Sequence, residues 1–280
     1  MSSGVSKPTR VSGSETRVAL QANAISFFSR FAGARRGKLE RSGGDIRISS
    51  GIPFPIFNWA LQTRVSKSET DARIKATVRY FRDRGLPFIW GIFPSDNTAD
   101  LRDRLLTAGF KREDAPAMAI GLNQLPRPSS STGLEIAPVN TRADGEAFAR
   151  TLNDGDFQAP AEIARSIPDL LRPSWSDSGP EPHLRCFVGY RDKVPVATSL
   201  RFLSDGVVGI YGVATIPEAR RQGFGAAMTL AALEDGRARG YDVGVLIATE
   251  MGEPVYRRLG FRELYRVSQF EIPAKESLPT

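Results

Sequence analysis

The chain has 280 residues, 41% of them hydrophobic and 25% charged, a globular composition with room for one large domain or two of ordinary size. No apolar run approaches the roughly 18–20 residues needed to cross a bilayer, and one cysteine (Cys186) with one histidine (His183) excludes an intrachain disulfide and leaves too few ligands for a zinc site. The net charge of +7 is uneven: residues 1–132 hold 21 Lys/Arg against 11 Asp/Glu, a balance of +10, and residues 133–280 hold 17 against 20, a balance of −3. That asymmetry predicts two units of different character. The basic residues of the first half are scattered rather than patched, so a solvated surface is expected, with no nucleic-acid partner.

Residues 1–16 are rich in Ser, Gly and Thr without the apolar stretch of a secretory signal, and are expected to form a disordered leader. An amphipathic helix is predicted over 15–34, where Val18, Ala22, Ile25, Phe28 and Ala32 recur near the 3.6 period. Strands follow at 46–49 and 56–61, then a helix opened by Ser68 and closed at Arg84 before Gly85. A buried strand at 88–93, a short helix at 99–108 stopped by Gly109, and a strand at 117–122 complete the first half.

The clearest break is the stretch from Leu125 to Gly133, where two prolines and three serines in nine residues neither pack nor extend a helix. A linker over 126–133 is therefore expected between a domain at 17–125 and one at 134–273, with a tail at 274–280. Beyond the linker the pattern predicts a strand at 134–138, a helix at 142–153, an acidic Pro-rich stretch to 182 with a helix near 163–171, and strands at 185–191, 194–203 and 207–215. A helix at 223–239 ending at Gly240, a strand at 243–248, a short helix at 253–259 and a strand at 263–272 follow. The expected fold class is α+β, with a central mixed, mostly antiparallel sheet flanked by helices. Both halves close alike: strand, helix, Ala108-Gly109-Phe110, strand in the first; strand, helix, Leu259-Gly260-Phe261, strand in the second. This pattern fits a duplicated unit, and it also fits ordinary helix C-cap chemistry.

The stretch most suggestive of chemistry runs from Ile210 to Met228. An apolar strand enters a turn after Pro217; Arg220, Arg221 and Gln222 follow, then Gly223-Phe224-Gly225 and a helix. Glycines at a helix start allow close backbone approach, and the first turn offers unpaired N–H groups at the positive dipole end, together a phosphate cradle. A P-loop lysine is absent, and the third position of a dinucleotide fingerprint is Met228 rather than glycine.

The spacing of Arg220, Gly223 and Gly225 resembles the Arg/Gln-x-x-Gly-x-Gly/Ala loop of the GNAT (Gcn5-related) N-acyltransferases. The segment Ala248 to Phe261, with Tyr256 on a short helix before Leu259-Gly260-Phe261, resembles that family's closing element. The resemblance covers roughly 134–272. It implies a GNAT-fold C-terminal domain that takes acetyl-CoA as cosubstrate without a metal. Val213, Ala214 and Thr215 would hold the pantetheine arm. Arg220, Arg221, Gln222, Gly223, Phe224, Gly225 and Ala226 would hold the diphosphate. Tyr256 matches the general acid, with packing against the pantetheine as the alternative. The central strand carries no carboxylate at Gly209–Gly212, so a base acting through water is expected, with Glu250, Asp154 and Asp156 as candidates.

Acidic residues 154, 156, 162, 169, 177 and 181 outnumber Arg165 and Arg172 in the region that lines the acceptor pocket in this family. An acidic rim steers a cationic amine, and Asp154, Asp156, Phe157 and Trp175 are the acceptor-site candidates; a solvated acidic loop is the alternative. The resemblance thus implies acetyl transfer to a primary amine of a small cationic acceptor, in the cytoplasm, away from membranes and nucleic acid, with a homodimer as one form of assembly. A non-catalytic acyl-CoA sensor and a protein N-acetyltransferase stay open. Residues 17–125 lack the glycine loop and resemble the degenerate partner of a tandem GNAT.

Overall fold

The computed structural model describes residues 13–42, 45–96, 100–126, 133–171 and 183–272. Trp175, Asp177, Glu181, the tail and most of the expected leader and linker lie outside the described residues. In chain order the elements are α1 (Ser14–Ser29), β1 (Lys38–Ser42), β2 (Asp45–Ser49), β3 (Trp59–Leu61), α2 (Thr70–Arg82), β4 (Ile89–Ile92), α3 (Leu101–Thr107) and β5 (Lys111–Gly121). They continue with β6 (Glu135–Pro138), α4 (Arg142–Leu152), α5 (Ala161–Ala164), α6 (Ile167–Leu171), β7 (Leu184–Arg191), β8 (Val194–Ser204) and β9 (Val207–Thr215). The last four are α7 (Phe224–Ala238), β10 (Val243–Ile247), α8 (Glu253–Leu259) and β11 (Arg262–Glu271).

Four sequence expectations are corrected. Residues 14–16, expected in the leader, belong to α1: Thr16 is fully buried and Glu15 sits in the first helical turn where a negative charge suits the dipole. Residues 55–57 form a 3-10 turn instead of strand: Pro55 lacks a ladder donor. The helix near 163–171 is two short helices, with Pro168 in the first turn of α6. A further strand, β1, pairs with β2 although its residues are largely exposed.

The chain divides into two compact units that exchange segments: Met1–Ala24 with Ala117–Leu264, and Ile25–Pro116 with Tyr265–Thr280. The first unit carries strands in the order β5-β10-β9-β8-β7-β6. All neighbours there are antiparallel except β9 and β10. The second carries β1-β2-β3-β4-β11, antiparallel except β3 with β4. The compact units therefore do not part at 126–133: residues 117–121 pair with β10 and residues 268–270 pair with β4.

In the first unit α7 lays Phe224, Met228, Ala232 and Leu233 onto the sheet, against Val196, Val208, Ile210 and Leu246. Each large side chain so buried contributes about 1.5–3 kcal/mol. Helix α4 is fixed at its start by a reciprocal cap in which Thr141 Oγ1 accepts from the Asp144 amide and the Asp144 carboxylate accepts from the Thr141 amide. The second unit is built around aromatic residues, with Phe81 stacked on Phe88 and Trp90 and Phe110 edge-on.

The two closing elements are alike at the level of single bonds. The Phe110 amide donates to Leu105 O and the Phe261 amide to Tyr256 O, each at 3.0 Å. Gly109 and Gly260 both take left-handed backbone, φ +90° and +99°, as the αL cap requires. Tyr256 in the first unit thus occupies the place that Leu105 holds in the second.

Candidate functional site

Strand β9 is paired with β8 along its length, with a register shift between Thr198 and Leu200. Gly212 sits at that irregularity with φ +54°, and its carbonyl accepts from Thr198 Oγ1 at 2.8 Å. On its other side β9 pairs with β10 at Val208–Gly244 and Gly209–Val245. Residues 211–215, which include Val213, Ala214 and Thr215, lie beyond that register. A parallel pair that ends early leaves strand backbone free to meet a ligand.

After Thr215 the chain makes the 3-10 turn Pro217–Ala219, then reverses through Arg221 (φ +63°) and Gly223 (φ +82°) into α7. These two left-handed residues lead into the first turn of α7, whose opening amides have no acceptor within the helix. A side-chain carbon at Gly225 would find its nearest neighbours at 3.9 and 4.0 Å, on Thr215 and Val213, so open space lies over the first turn. Arg221, Gln222 and Gly223 are exposed, Gly225 and Ala226 half-buried, and Phe224 is anchored in the core. These features fit a diphosphate: open amides, a cation in Arg221 and no acidic residue in the first turn of α7.

The six loop residues and Arg220 do not act alike. The Arg220 guanidinium turns inward, donating to Thr215 O at 3.2 Å and to Gly155 O at 3.0 Å. The cation added at the loop mouth is one the sequence did not suggest: Arg191, at the end of β7, donates to Gln222 Oε1 at 2.7 Å and lies 5.9 Å from the Phe224 ring centroid.

Three of the four acceptor-side candidates, Asp154, Asp156 and Phe157, sit on a single π-turn, Asn153–Phe157, that continues α4, and Trp175 lies outside the described residues. Asn153 braces it: its Oδ1 accepts from the Ala159 amide at 3.0 Å and its carbonyl from the Gln158 amide at 2.7 Å. A side-chain carbon at Gly155 would stand 3.0 Å from Ala214 Cβ and from Thr215 backbone, so the turn is seated directly on the end of β9. Asp156 is exposed, and neighbouring protein withdraws part of the hydration of its carboxyl. That dehydration raises its pKa above 3.8, against the pull of the Arg220 charge. Phe157 is half-buried, while Asp154, Asp156, Glu162 and Asp169 are exposed.

Tyr256 is buried on α8, edge-on to Phe261 at 5.7 Å. Burial, and then the Asp156 charge, push its phenol well above the ordinary 10.0. The two groups, 100 positions apart in sequence, therefore share one electrostatic environment. Gly252 makes room for the ring: a side-chain carbon there would stand 2.8 Å from Tyr256 Cε2. Glu250 is exposed in the turn before α8, and no metal-ligating cluster of three or more residues occurs among the described residues.

The corresponding helix start in the second unit is chemically different. Glu69 and Asp71 flank the start of α2, and Asp100 accepts from Thr70 Oγ1 at 3.0 Å. Carboxylates stand where a phosphate would need amides and cations.

Residues 206–264 match the family model described as an acetyltransferase (GNAT) domain. Among solved structures, a GCN5-related N-acetyltransferase from Kribbella flavida superposes with a TM-score of 0.69 at 19% identity, covering 92% of this chain and 96% of that one. A GCN5-related N-acetyltransferase from Sphaerobacter thermophilus gives 0.61 at 16%, covering 98% and 100%. A functionally unknown conserved protein from Staphylococcus epidermidis gives 0.66 at 13%, covering 84% and 94%. At such identities the likeness is one of fold. No protein of curated function matches the sequence.

Proposed function

We propose, from the premise that the chain belongs to the GNAT superfamily of acetyltransferases, that its first unit moves an acetyl group from acetyl-CoA to the neutral amine of a small cationic acceptor. The supporting observation is the grouping of three pieces near the end of β9: the helix-start amides after Gly223, the partly dehydrated Asp156 and the buried Tyr256. Acetyl-CoA supplies the activated thioester. The chain's own residues supply position, charge and a proton.

Amides at the start of α7, with Arg221 and Arg191 nearby, hold the diphosphate. The backbone of Val213–Thr215, beyond the pairing of β9 with β10, orients the pantetheine arm, and an N–H of this strand polarises the thioester carbonyl. Asp156 receives the second positive charge of the acceptor, and its dehydration strengthens that attraction. The Tyr256 hydroxyl, held protonated by burial, donates to the departing sulfur. Water relays the amine proton away, because Gly209–Gly212 offer no carboxylate and Glu250 is exposed. The second unit, with acidic groups at the start of α2, does not take CoA in this way.

Calorimetry with acetyl-CoA, and CoA release measured over a panel of mono- and diamines, test the assignment. Expected are micromolar binding and turnover favouring acceptors that carry a second cation, with Tyr256→Phe lowering kcat by about 10²-fold or more at unchanged acetyl-CoA affinity. Binding without turnover on any amine would make the chain an acyl-CoA sensor. Absence of binding would remove the acetyltransferase assignment altogether.

A further inference from the structure

The loop arginine that sequence spacing assigns to the diphosphate has its guanidinium committed elsewhere. Arg220 spans two carbonyls: Thr215 O, at the end of the strand that carries the pantetheine-binding backbone, and Gly155 O, in the π-turn next to Asp156. Gly155 is packed so closely on Ala214 and Thr215 that a methyl group would not fit without movement. The side chain is half-buried, and its charge acts directly on Asp156. A guanidinium has five donors in a rigid plane, so it can fix two acceptors at once where an ammonium is a single flexible point.

We propose that Arg220 is a positioning residue that couples the two substrates: it ties the turn bearing Asp156 to the end of β9 and to the cofactor loop, so that seating the thioester orders the acceptor side of the site. This rests on the acetyltransferase assignment above for the identity of the cofactor. The loop 216–223 holds Arg220 by its backbone, and any contact that stiffens this loop also limits the guanidinium that anchors Gly155. Asp156 follows the anchored Gly155 directly in the turn. The groups that bear on its charge are Arg220, which favours the carboxylate, and Tyr256, whose ionisation the carboxylate opposes.

The test uses the full chain as wild type, Arg220→Gln and Arg220→Lys, with CoA as the probe, so that no acceptor need be known. Three quantities are read: CoA affinity by calorimetry, amide hydrogen exchange at residues 153–158 with and without CoA, and the titration of Asp156 by carboxyl carbon NMR. In the wild type, CoA slows exchange across 153–158. In Arg220→Gln, CoA affinity stays within about threefold, the turn exchanges about tenfold faster, as loss of a charge-assisted hydrogen bond dictates, and CoA no longer slows it. The Asp156 pKa rises in Arg220→Gln and returns toward the wild-type value in Arg220→Lys, which keeps the charge and reaches one carbonyl. A purely structural role would not produce that rescue, and the lysine variant keeps the test open should the glutamine variant fold poorly. Unchanged exchange at 153–158 in Arg220→Gln overturns the proposal. A fall in CoA affinity beyond tenfold with the turn undisturbed also overturns it, by making Arg220 a direct phosphate contact. If the wild type fails to bind CoA, the acetyltransferase assignment falls, while exchange and Asp156 titration in the free protein still decide whether Arg220 braces the turn.

Discussion

Gly252 stands against the ring of Tyr256 so closely that a side-chain carbon would come within 2.8 Å of Cε2. Its backbone is ordinary right-handed, φ −80°, so the residue is required by space and not by conformation. Gly252→Ala is therefore expected to fold and to displace the phenol. On the proposed mechanism, a shift of that ring by a few tenths of an ångström spoils proton donation while leaving the loop at Gly223 intact. Expected is a fall in kcat of about tenfold to a hundredfold with acetyl-CoA affinity unchanged. In the parent chain, burial holds the phenol above 10.0, so no alkaline loss of rate from Tyr256 should appear up to pH 10. A kcat in Gly252→Ala equal to that of the parent would separate Tyr256 from the chemistry.

Asp156 is a cost to the fold that the proposed site keeps for its charge. Its pKa is raised by dehydration, which the Arg220 charge only partly offsets. A carboxyl raised in the folded state binds its proton more tightly there than in the unfolded chain, so the stability it favours is present below 3.8 and is lost as pH rises through the folded value. Asp156→Asn should accordingly raise the melting temperature at pH 7, and the gain should vanish as pH falls toward 3.5. The same variant should raise the acceptor KM for diamines more than for monoamines. A lower melting temperature at pH 7 would show that the Arg220 charge outweighs dehydration.

Much of this arrangement could be read in the sequence, for reasons that differ by element. The glycines at 109, 223, 240 and 260 are visible because left-handed backbone nearly demands that residue, and strands β7 to β10 are visible because buried runs must be apolar. Strand β1, Lys38-Leu-Glu-Arg-Ser, left no such trace: at the edge of its sheet it is defined by hydrogen-bond partners and buries almost nothing. The exchange of strand segments between units was illegible because the linker's composition marks a break in chain order, whereas strand pairing decides which residues are neighbours. Arg220 illustrates the limit within the site. Spacing placed it in the cofactor loop, but the direction of its guanidinium depends on a carbonyl 65 positions away. Arg191 joins the loop from β7 and has no motif to announce it.

Asn23 carries more of the first unit than its place near the start of the chain suggests. It is fully buried, and its Oδ1 accepts from the Tyr211 hydroxyl at 2.7 Å while its amide donates to Ser204 Oγ at 2.9 Å and to the carbonyls of Ser204 and Phe202 at 3.3 Å. Gly209 leaves the space that the amide fills. Asn23→Ala removes every one of these bonds and strands buried polar atoms on β8 and β9, for an expected loss of about 2–3 kcal/mol, whereas Tyr211→Phe removes a single bond and costs about 1 kcal/mol. Denaturant unfolding of both variants and of the double variant measures the coupling. Strict additivity would mean that the two side chains do not act as a pair.

The ion pair between a buried arginine on β8 and a half-buried aspartate on α7 gives a prediction in which two opposing effects can be separated. Arg201 on β8 is wholly buried and donates to Asp235 at 2.7 Å; Arg239 donates to the same oxygen at 3.0 Å. Burial pulls the guanidinium of Arg201 down, opposed by Asp235. Burial pushes Asp235 up, but the hydrogen bonds and charges of Arg201 and Arg239 bring it below 3.8. The two partners thus point in opposite senses, the cation recording the cost of dehydration and the anion the gain from pairing. Arginine stays charged at any working pH, so the carboxylate governs the pH response. A lowered carboxyl contributes stability that is present above 3.8 and is lost as pH falls through its folded value. Asp235→Ala leaves the cation buried and should cost about 3 kcal/mol at pH 7, with the acid limb of the stability profile flattened below pH 4. Replacing both partners by apolar residues, Arg201→Met with Asp235→Leu, removes the cost and the gain together and should recover most of the loss. Urea unfolding of the single and double variants between pH 3 and 7 measures both effects, and a double variant as unstable as Asp235→Ala would show that packing around Arg201, and not its charge, decides the outcome.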